Sequence, residues 1–380
     1  TTVADVSWTE FFPDTLLQRH IRTALEGNFS FLNCMNRIRL AENELKTARL
    51  GYWPSVSAGL SAGLERFGEY TMDGVGNSTT NTPDLDKSRH IPDPYPDFGI
   101  GVSFSWEIDL WGKVTQKKRA ALSRWMASIE AASLARSVLI SEIARTYFSL
   151  VDLDMKRQIT EAAIDFISRS CELTEDLKDA GEITQLAVDQ FQSRLIELKG
   201  ILLENENETA SLERAMCILT GRLPEHTERS NFYELRDMGY LSDTGVPDML
   251  LTRRPDIKEA EMMLAAADCD IKAARKAFYP GLRLGGAGGF NAFDIGRLFL
   301  APASLAYEIA AGLTAPVFNA GKIRNEYSDA LVRRDMAVNN YKETVVKAYS
   351  EVCGLIESSE NIRERIDVKK EEMKIGKKAT

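Results

Sequence analysis

Residues Asp97 to Asp109 read DFGIGVSFSWEID and alternate without exception. Phe98, Ile100, Val102, Phe104, Trp106 and Ile108 fall on one face. Asp97, Gly99, Gly101, Ser103, Ser105, Glu107 and Asp109 fall on the other. A period of two with one apolar and one wet side is the signature of a β-strand. Ser55 to Glu65 behaves alike, with Val56, Ala58, Leu60, Ala62 and Leu64 opposed to Ser55, Ser57, Gly59, Ser61 and Gly63, and weaker versions run over 281–290 and 305–317. Two environments suit such strands. One is a soluble sandwich whose apolar faces meet in a core. The other is a membrane barrel, because strands of about ten residues cross a bilayer when tilted and the wet faces are small and polar, as in a lumen.

Outward from these strands the chain repeats itself. Leu45 to Pro54, LKTARLGYWP, returns 226 positions later as Ile271 to Pro280, IKAARKAFYP, and Gly112-Lys113-Val114 returns as Gly321-Lys322-Ile323 at an offset of 209. Each half reads as helix, strand, loop, strand, helix, which predicts a pseudo-symmetric fold of two copies of one unit.

Between Lys113 and Lys178 there is neither glycine nor proline. The expected element is one helix over 113–178, roughly 100 Å long at 1.5 Å per residue and far beyond an ordinary globular helix. A turn at Asp179-Ala180-Gly181-Glu182 is followed by helical pattern over 183–220. A stop at Gly221-Arg222-Leu223-Pro224 comes next, and further helix runs from Pro255 to about Tyr279. These lengths suit a hairpin in which one long helix is matched by two shorter stacked ones, with an irregular equatorial segment over 221–254. The expected organisation is an extended N-terminal segment 1–14, a first repeat 15–220 (strands 55–66 and 97–109, long helix 113–178, return helix 183–220), the equatorial segment 221–254, and a second repeat 255–380 (strands 281–290 and 305–317, long helix 322–380).

Four strands per chain cannot close a barrel, whose smallest versions have about eight, and a membrane does not tolerate an open sheet with two unpaired edges. The chain is therefore expected to oligomerise. Three copies would close 12 strands, with their helical hairpins continuing the same lumen as an α-helical barrel.

The run Leu250-Leu251-Thr252-Arg253-Arg254-Pro255-Asp256-Ile257, followed by Ala260-Glu261, Ala266-Ala267, Ile271, Ala273-Ala274-Arg275 and Phe278-Tyr279-Pro280, resembles the signature of the TolC-like outer-membrane factors. The similarity is greatest to the lipoprotein branch that serves resistance-nodulation-division pumps. Trp8, Phe11, Pro13-Asp14, Leu16, Ile21, Ala24-Leu25 and Asn28, and Glu107-Ile108-Asp109-Leu110-Trp111-Gly112, add to it. The resemblance spans nearly the whole chain. It implies an α+β membrane protein forming a trimeric channel-tunnel in the outer membrane of a Gram-negative bacterium and extending into the periplasm. It also implies a homotrimer working with a periplasmic membrane-fusion adaptor, an inner-membrane pump and outer-membrane lipid. Members of this branch begin with a lipidated cysteine after a signal peptide. This chain starts at Thr1 with neither, as a mature chain trimmed at its front would. Adding 209 to Gly181 places a second periplasmic turn near position 390, past Thr380, so the second return helix is expected to be absent.

Composition agrees. A net charge of -9 argues against nucleic acid. With 44% apolar residues and no apolar run of 18, no transmembrane helix is expected. Cys34, Cys171, Cys217, Cys269 and Cys353 lie singly in helical stretches without ligand spacing and are expected to be buried small hydrophobes. His20, His90 and His226 are scattered, His90 in a Pro- and Asp-rich loop over 67–96, and no catalytic constellation, metal site or cofactor is expected. Gly285-Gly286-Ala287-Gly288-Gly289 lies inside an alternating strand with no lysine and helix start after it, so close packing or a bend is the better reading than a phosphate cradle.

The expected function is a passive exit duct for drugs and other small molecules in a tripartite efflux pump. The alternative is the outer-membrane conduit of a type I protein secretion system. A soluble coiled-coil scaffold would explain the helices and leave the strands without a purpose. The candidate adaptor-docking turn is Asp179, Ala180, Gly181, Glu182, Ile183 and Thr184, with Gln185, Leu186 and Asp189 beside it. Tyr52, Trp53, Trp106, Trp111, Phe278, Tyr279 and Phe318 sit at the four strand–helix junctions. They are expected to form an aromatic belt at the periplasmic membrane interface, against the plainer reading as core. Arg253, Arg254, Pro255 and Asp256 are expected to be structural, holding the equatorial segment to the shaft.

Overall fold

The computed structural model describes residues 6–237 and 253–379. Residues 238–252, which include Leu250, Leu251 and Thr252 of the signature run and part of the expected equatorial segment, lie outside the described residues. The helices are α1 (Trp8–Phe11), α2 (Thr15–Gly27), α3 (Phe29–Leu50), α4 (Met72–Thr80), α5 (Lys113–Asp179), α6 (Gln185–Thr220), α7 (Phe232–Asp237), α8 (Pro255–Lys276) and α9 (Lys322–Ala379). The strands are β1 (Ser55–Glu65), β2 (Tyr95–Ile108), β3 (Gly281–Ala292) and β4 (Leu305–Thr314).

The four strands form one antiparallel sheet in the order β1-β2-β3-β4. Its register turns the alternation of the sequence into two coherent faces. Val56, Phe104, Gly286 and Ile309 make one row of the apolar face, Ala58, Val102, Gly288 and Tyr307 the next, and Leu60, Ile100, Phe290 and Leu305 a third. The opposite rows are Ser55, Ser105, Gly285 and Ala310; Ser57, Ser103, Ala287 and Glu308; and Gly59, Gly101, Gly289 and Ala306. The glycines of β3 serve close packing. A Cβ on Gly286 would meet the Phe104 ring at 2.5 Å, and one on Gly289 would meet the Ile100 carbonyl oxygen at 2.2 Å.

The chain packs as two compact units that cut across the sequence repeats. Thr1–Ala41, Trp125–Met263 and Asn339–Thr380 form one; Glu42–Arg124 and Leu264–Val338 form the other. Each unit draws on both of the expected repeats, 15–220 and 255–380, because helices and strands of one half find partners in the other half. The first unit is helical. Its core joins Leu17, Ile21 and Ala24, a single face of α2, to Leu139, Ile143, Tyr147 and Val151 of α5 and Met216 of α6. The second unit holds the sheet, with Leu45, Ala120, Ala121, Ala273 and Ala330 buried in its helical parts.

Several boundaries differ from expectation. The segment 1–14 is not wholly extended: Ser7 and Glu10 form a reciprocal capping box over α1. The loop 67–96 contains α4, whose first turn is capped by the Thr71 hydroxyl, and a 3₁₀ turn at Lys87–Arg89. β4 stops at Thr314, two residues before Pro316, which cannot donate to a ladder. β2 begins at Tyr95, β3 runs on to Ala292, and α6 starts only at Gln185 because Ile183 and Thr184 complete the turn. α8 ends at Lys276, with Ala277, Phe278 and Tyr279 in a turn that accepts the strand. The five cysteines are free, but only Cys171 and Cys217 are buried; Cys34, Cys269 and Cys353 are partly exposed, against the expectation that all are buried.

Candidate functional site

The sheet is the candidate working surface of the second unit. Its apolar face is open: Leu60 is 79% exposed, Tyr307 and Ile309 80%, although residues of this kind normally lie inside a soluble domain. The wet face carries serine, glycine and alanine, with Ser57 and Ser103 hydroxyls 2.8 Å apart across the strands. β1 and β4 are the two unpaired edges. Among the described residues no helix is long and apolar enough to cross a membrane.

Where β2 gives way to α5, Asp109 accepts hydrogen bonds from the Val114 and Thr115 amides, both at 2.9 Å, and from the Thr115 hydroxyl at 2.7 Å. Burial opposes the charge on this carboxyl, but the hydrogen bonds from Thr115 and Val114 outweigh it and hold its pKa below the ordinary carboxylate value. Glu107, one strand position earlier on the wet face, pairs with Lys113 at 2.9 Å and stands directly opposite Arg283. These groups, with Lys276, Tyr279 and Thr314, line a cleft of about 300 Å³.

The seven junction aromatics do not form one cluster. Tyr52 donates to Thr115 at 2.9 Å, receives the Trp106 indole N–H on its carbonyl at 2.8 Å, and has the Lys118 ammonium 5.1 Å from its ring centroid. Trp111 donates to the Pro280 carbonyl at 2.7 Å and lies 5.3 Å from Tyr279, while Phe278 meets Tyr327 edge-on at 6.0 Å. Trp53 and Phe318 are exposed, at 72% and 90%.

In the first unit, the turn after α5 is a Schellman motif. Glu182 N–H reaches the Leu177 carbonyl at 2.9 Å, Gly181 N–H reaches that of Lys178 at 2.8 Å, and Gly181 has φ of +83°. Glycine is required there because an L side chain pays for the left-handed region, at about 1 to 2 kcal/mol. Asp179, Ala180, Glu182 and Thr184 are exposed, Ile183 is half-buried, and Gln185 bonds Asp189 at 2.8 Å. A second glycine of this kind, Gly221 (φ +69°), closes α6, where a Cβ would fall 2.2 Å from the Gly27 carbonyl oxygen.

Arg254 holds Asp256 at 2.8 Å and Glu351 of α9 at 2.7 Å, and Asp256 accepts from the Ile257 amide at 2.9 Å in the first turn of α8, which Pro255 opens. Burial works against the Asp256 charge, yet the Arg254 guanidinium keeps its pKa low.

Two polar clusters of this unit are not among the residues singled out for function. Asp14 caps α2 through Leu16 N–H and is bonded by the Tyr147 hydroxyl, which in turn accepts Ser230 N–H at 2.8 Å. Arg229, nearly buried, pairs with Asp154 and with Glu213 at 2.7 Å. Pro13-Asp14 before a helical pattern is a readable cap signal; nothing local announces the partners. Among the described residues no group of three or more His, Cys, Asp or Glu is placed to hold a metal ion.

Residues 20–221 and 246–379 match the family described as outer membrane efflux protein. The chain is 28% identical over 347 residues, 90% of its own length and 70% of the relative's, to the solvent efflux pump outer membrane protein SrpC of Pseudomonas putida. It is 24% identical over 365 residues to the cation efflux system protein CusC of Escherichia coli O6:H1, covering 95% of this chain and 74% of that one. A solved structure, a membrane protein from Pseudomonas aeruginosa, superposes with a TM-score of 0.81 at 26% identity, covering 96% of this chain and 82% of the other.

Proposed function

This chain belongs to the outer membrane efflux protein family, and from that premise we propose that three copies close one 12-stranded barrel whose lumen continues into a tube of their long helices. The protein is an outer-membrane efflux component of a Gram-negative bacterium, the exit duct of a pump; its family is one of transport channels and not of enzymes. The observation that carries the assembly is the sheet itself: four antiparallel strands with an open apolar face, a small polar opposite face and two unpaired edges. An even number of strands leaves β1 and β4 running in opposite directions, so identical copies can join edge to edge in the antiparallel sense throughout. Two copies would make eight strands, a barrel whose interior side chains fill, whereas a duct needs room for cargo. Three is the smallest number that leaves a lumen.

In this reading the apolar rows face lipid, the wet rows face the lumen, and the junction aromatics mark the periplasmic interface. The turn at residues 179–184 docks the hairpin of a periplasmic adaptor, which links the duct to an inner-membrane pump. The cargo is small molecules, in keeping with the solvent and cation efflux named for its relatives. Purified protein reconstituted in a planar bilayer should give stable stepwise conductance, and a strain lacking the gene should gain drug sensitivity with secretion intact. Loss of a secreted protein with unchanged drug sensitivity would favour the secretion conduit.

A further inference from the structure

The wet face of the sheet carries few charges, and among the described residues one of them stands inside the sheet without a partner. Arg283 is the only basic residue in the four strands; the acids are Glu65, Asp97, Glu107 and Glu308. Glu107 has Lys113 at 2.9 Å and Arg283 opposite it. Asp97 accepts from the Asn291 amide at 2.7 Å. Glu65 is the last residue of β1, at the rim of the sheet. Glu308 sits well inside the sheet, in the row with Ser57, Ser103 and Ala287, and the neighbouring rows contribute only serine, glycine and alanine. Its side chain is exposed and has no ion-pair or hydrogen-bond partner among the described residues.

We propose that Glu308 is a specificity-determining residue of the duct, giving it a preference for cations over anions. The inference rests on the conduit reading above. Each copy then places one uncompensated carboxylate at the same level of the lumen, and no other side chain of that row is as long. A ring of like charges around an aqueous passage with low-dielectric walls raises the local concentration of counter-ions and repels co-ions, which is how charged rings select ions in other pores. The lumen is otherwise lined there by neutral small groups, so nothing offsets the field.

The test is the reversal potential of single reconstituted channels under a KCl gradient, for wild type, Glu308→Gln, Glu308→Asp and Glu308→Lys. Wild type should favour K⁺ over Cl⁻, Glu308→Gln should lower that permeability ratio by about twofold or more, Glu308→Asp should keep it and Glu308→Lys should invert it. The difference between wild type and Glu308→Gln should shrink from 0.1 M to 1 M salt, as the screening length falls from about 10 Å to about 3 Å. Channels that conduct normally with the same permeability ratio in wild type and Glu308→Gln at 0.1 M would overturn the role of Glu308 and leave the conduit reading standing. Well-folded wild-type protein that never conducts would overturn the conduit reading, and the inference with it.

Discussion

Arg254 and Glu351, 97 residues apart, form an ion pair at 2.7 Å that ties the start of α8 to α9. Because Arg254 also grips Asp256, one guanidinium secures both a helix N-terminus and a helix–helix contact. Replacing it with alanine leaves Asp256, itself largely buried, without its cation. Arg254→Ala should lower the thermal stability of the assembly, by about 1 to 2 kcal/mol for a partly exposed network, and leave the drug spectrum unchanged. An altered spectrum at unchanged melting temperature would place this motif on the conduit.

The same network predicts a pH dependence. Asp256 has a folded-state pKa below its unfolded value, so its contribution is present above the ordinary value of about 3.9 and is lost as pH falls through the folded value. Stability measured by thermal melts should therefore show an acid-side loss beginning below about pH 4, and this step should be smaller in Arg254→Ala than in wild type.

Asp14 and Tyr147 offer a second measure of buried polar order. Tyr147→Phe removes the donor to Asp14, which is buried, and the acceptor of the N–H of Ser230, which is half-buried. The expected loss is about 1 to 3 kcal/mol, read as a lower melting temperature; an unchanged one would mean that water replaces the hydroxyl without cost.

How far these features can be read in the sequence depends on their range. The strands announce themselves because one face must be apolar, so Phe98 to Ile108 and Val56 to Leu64 alternate. The long helix is legible because nothing between Lys113 and Lys178 interrupts it. Ser7-Trp8-Thr9-Glu10 forms a capping box that the reading of 1–14 as extended passes over, and MDGVGNSTT, the sequence of α4, has little helix propensity and a threonine cap at its start. The pairs Arg254–Glu351, Arg229–Asp154 and Tyr147–Asp14 span 97, 75 and 133 residues. No periodicity encodes them, and for the same reason the interleaving of the two repeats into each compact unit is invisible in their order along the chain.

The two faces of β2 can be separated by adjacent substitutions. Val102→Arg should impair insertion, at a cost of about 2 to 4 kcal/mol for a charge on the lipid side near mid-bilayer. Ser103→Arg forfeits only the hydroxyl contact with Ser57 and should assemble. If the Ser103 change proves the more harmful in heat-modifiability gels, the faces are assigned the wrong way round.

At the turn after α5, Gly181→Val places a branched side chain at a φ of +83°, at a cost of about 1 to 2 kcal/mol or more. Efflux should fall while the protein still assembles and reaches the outer membrane. Normal drug resistance at normal expression would remove residues 179–184 from the docking surface.

The closing of β1 against β4 of a neighbouring copy is the step on which a lumen depends, and native mass spectrometry of the detergent-solubilised protein measures it most directly. Closure of 12 strands predicts a single species at three times the 42.4 kDa chain mass. A stable, fully folded monomer in detergent, with both sheet edges unpaired, would contradict it.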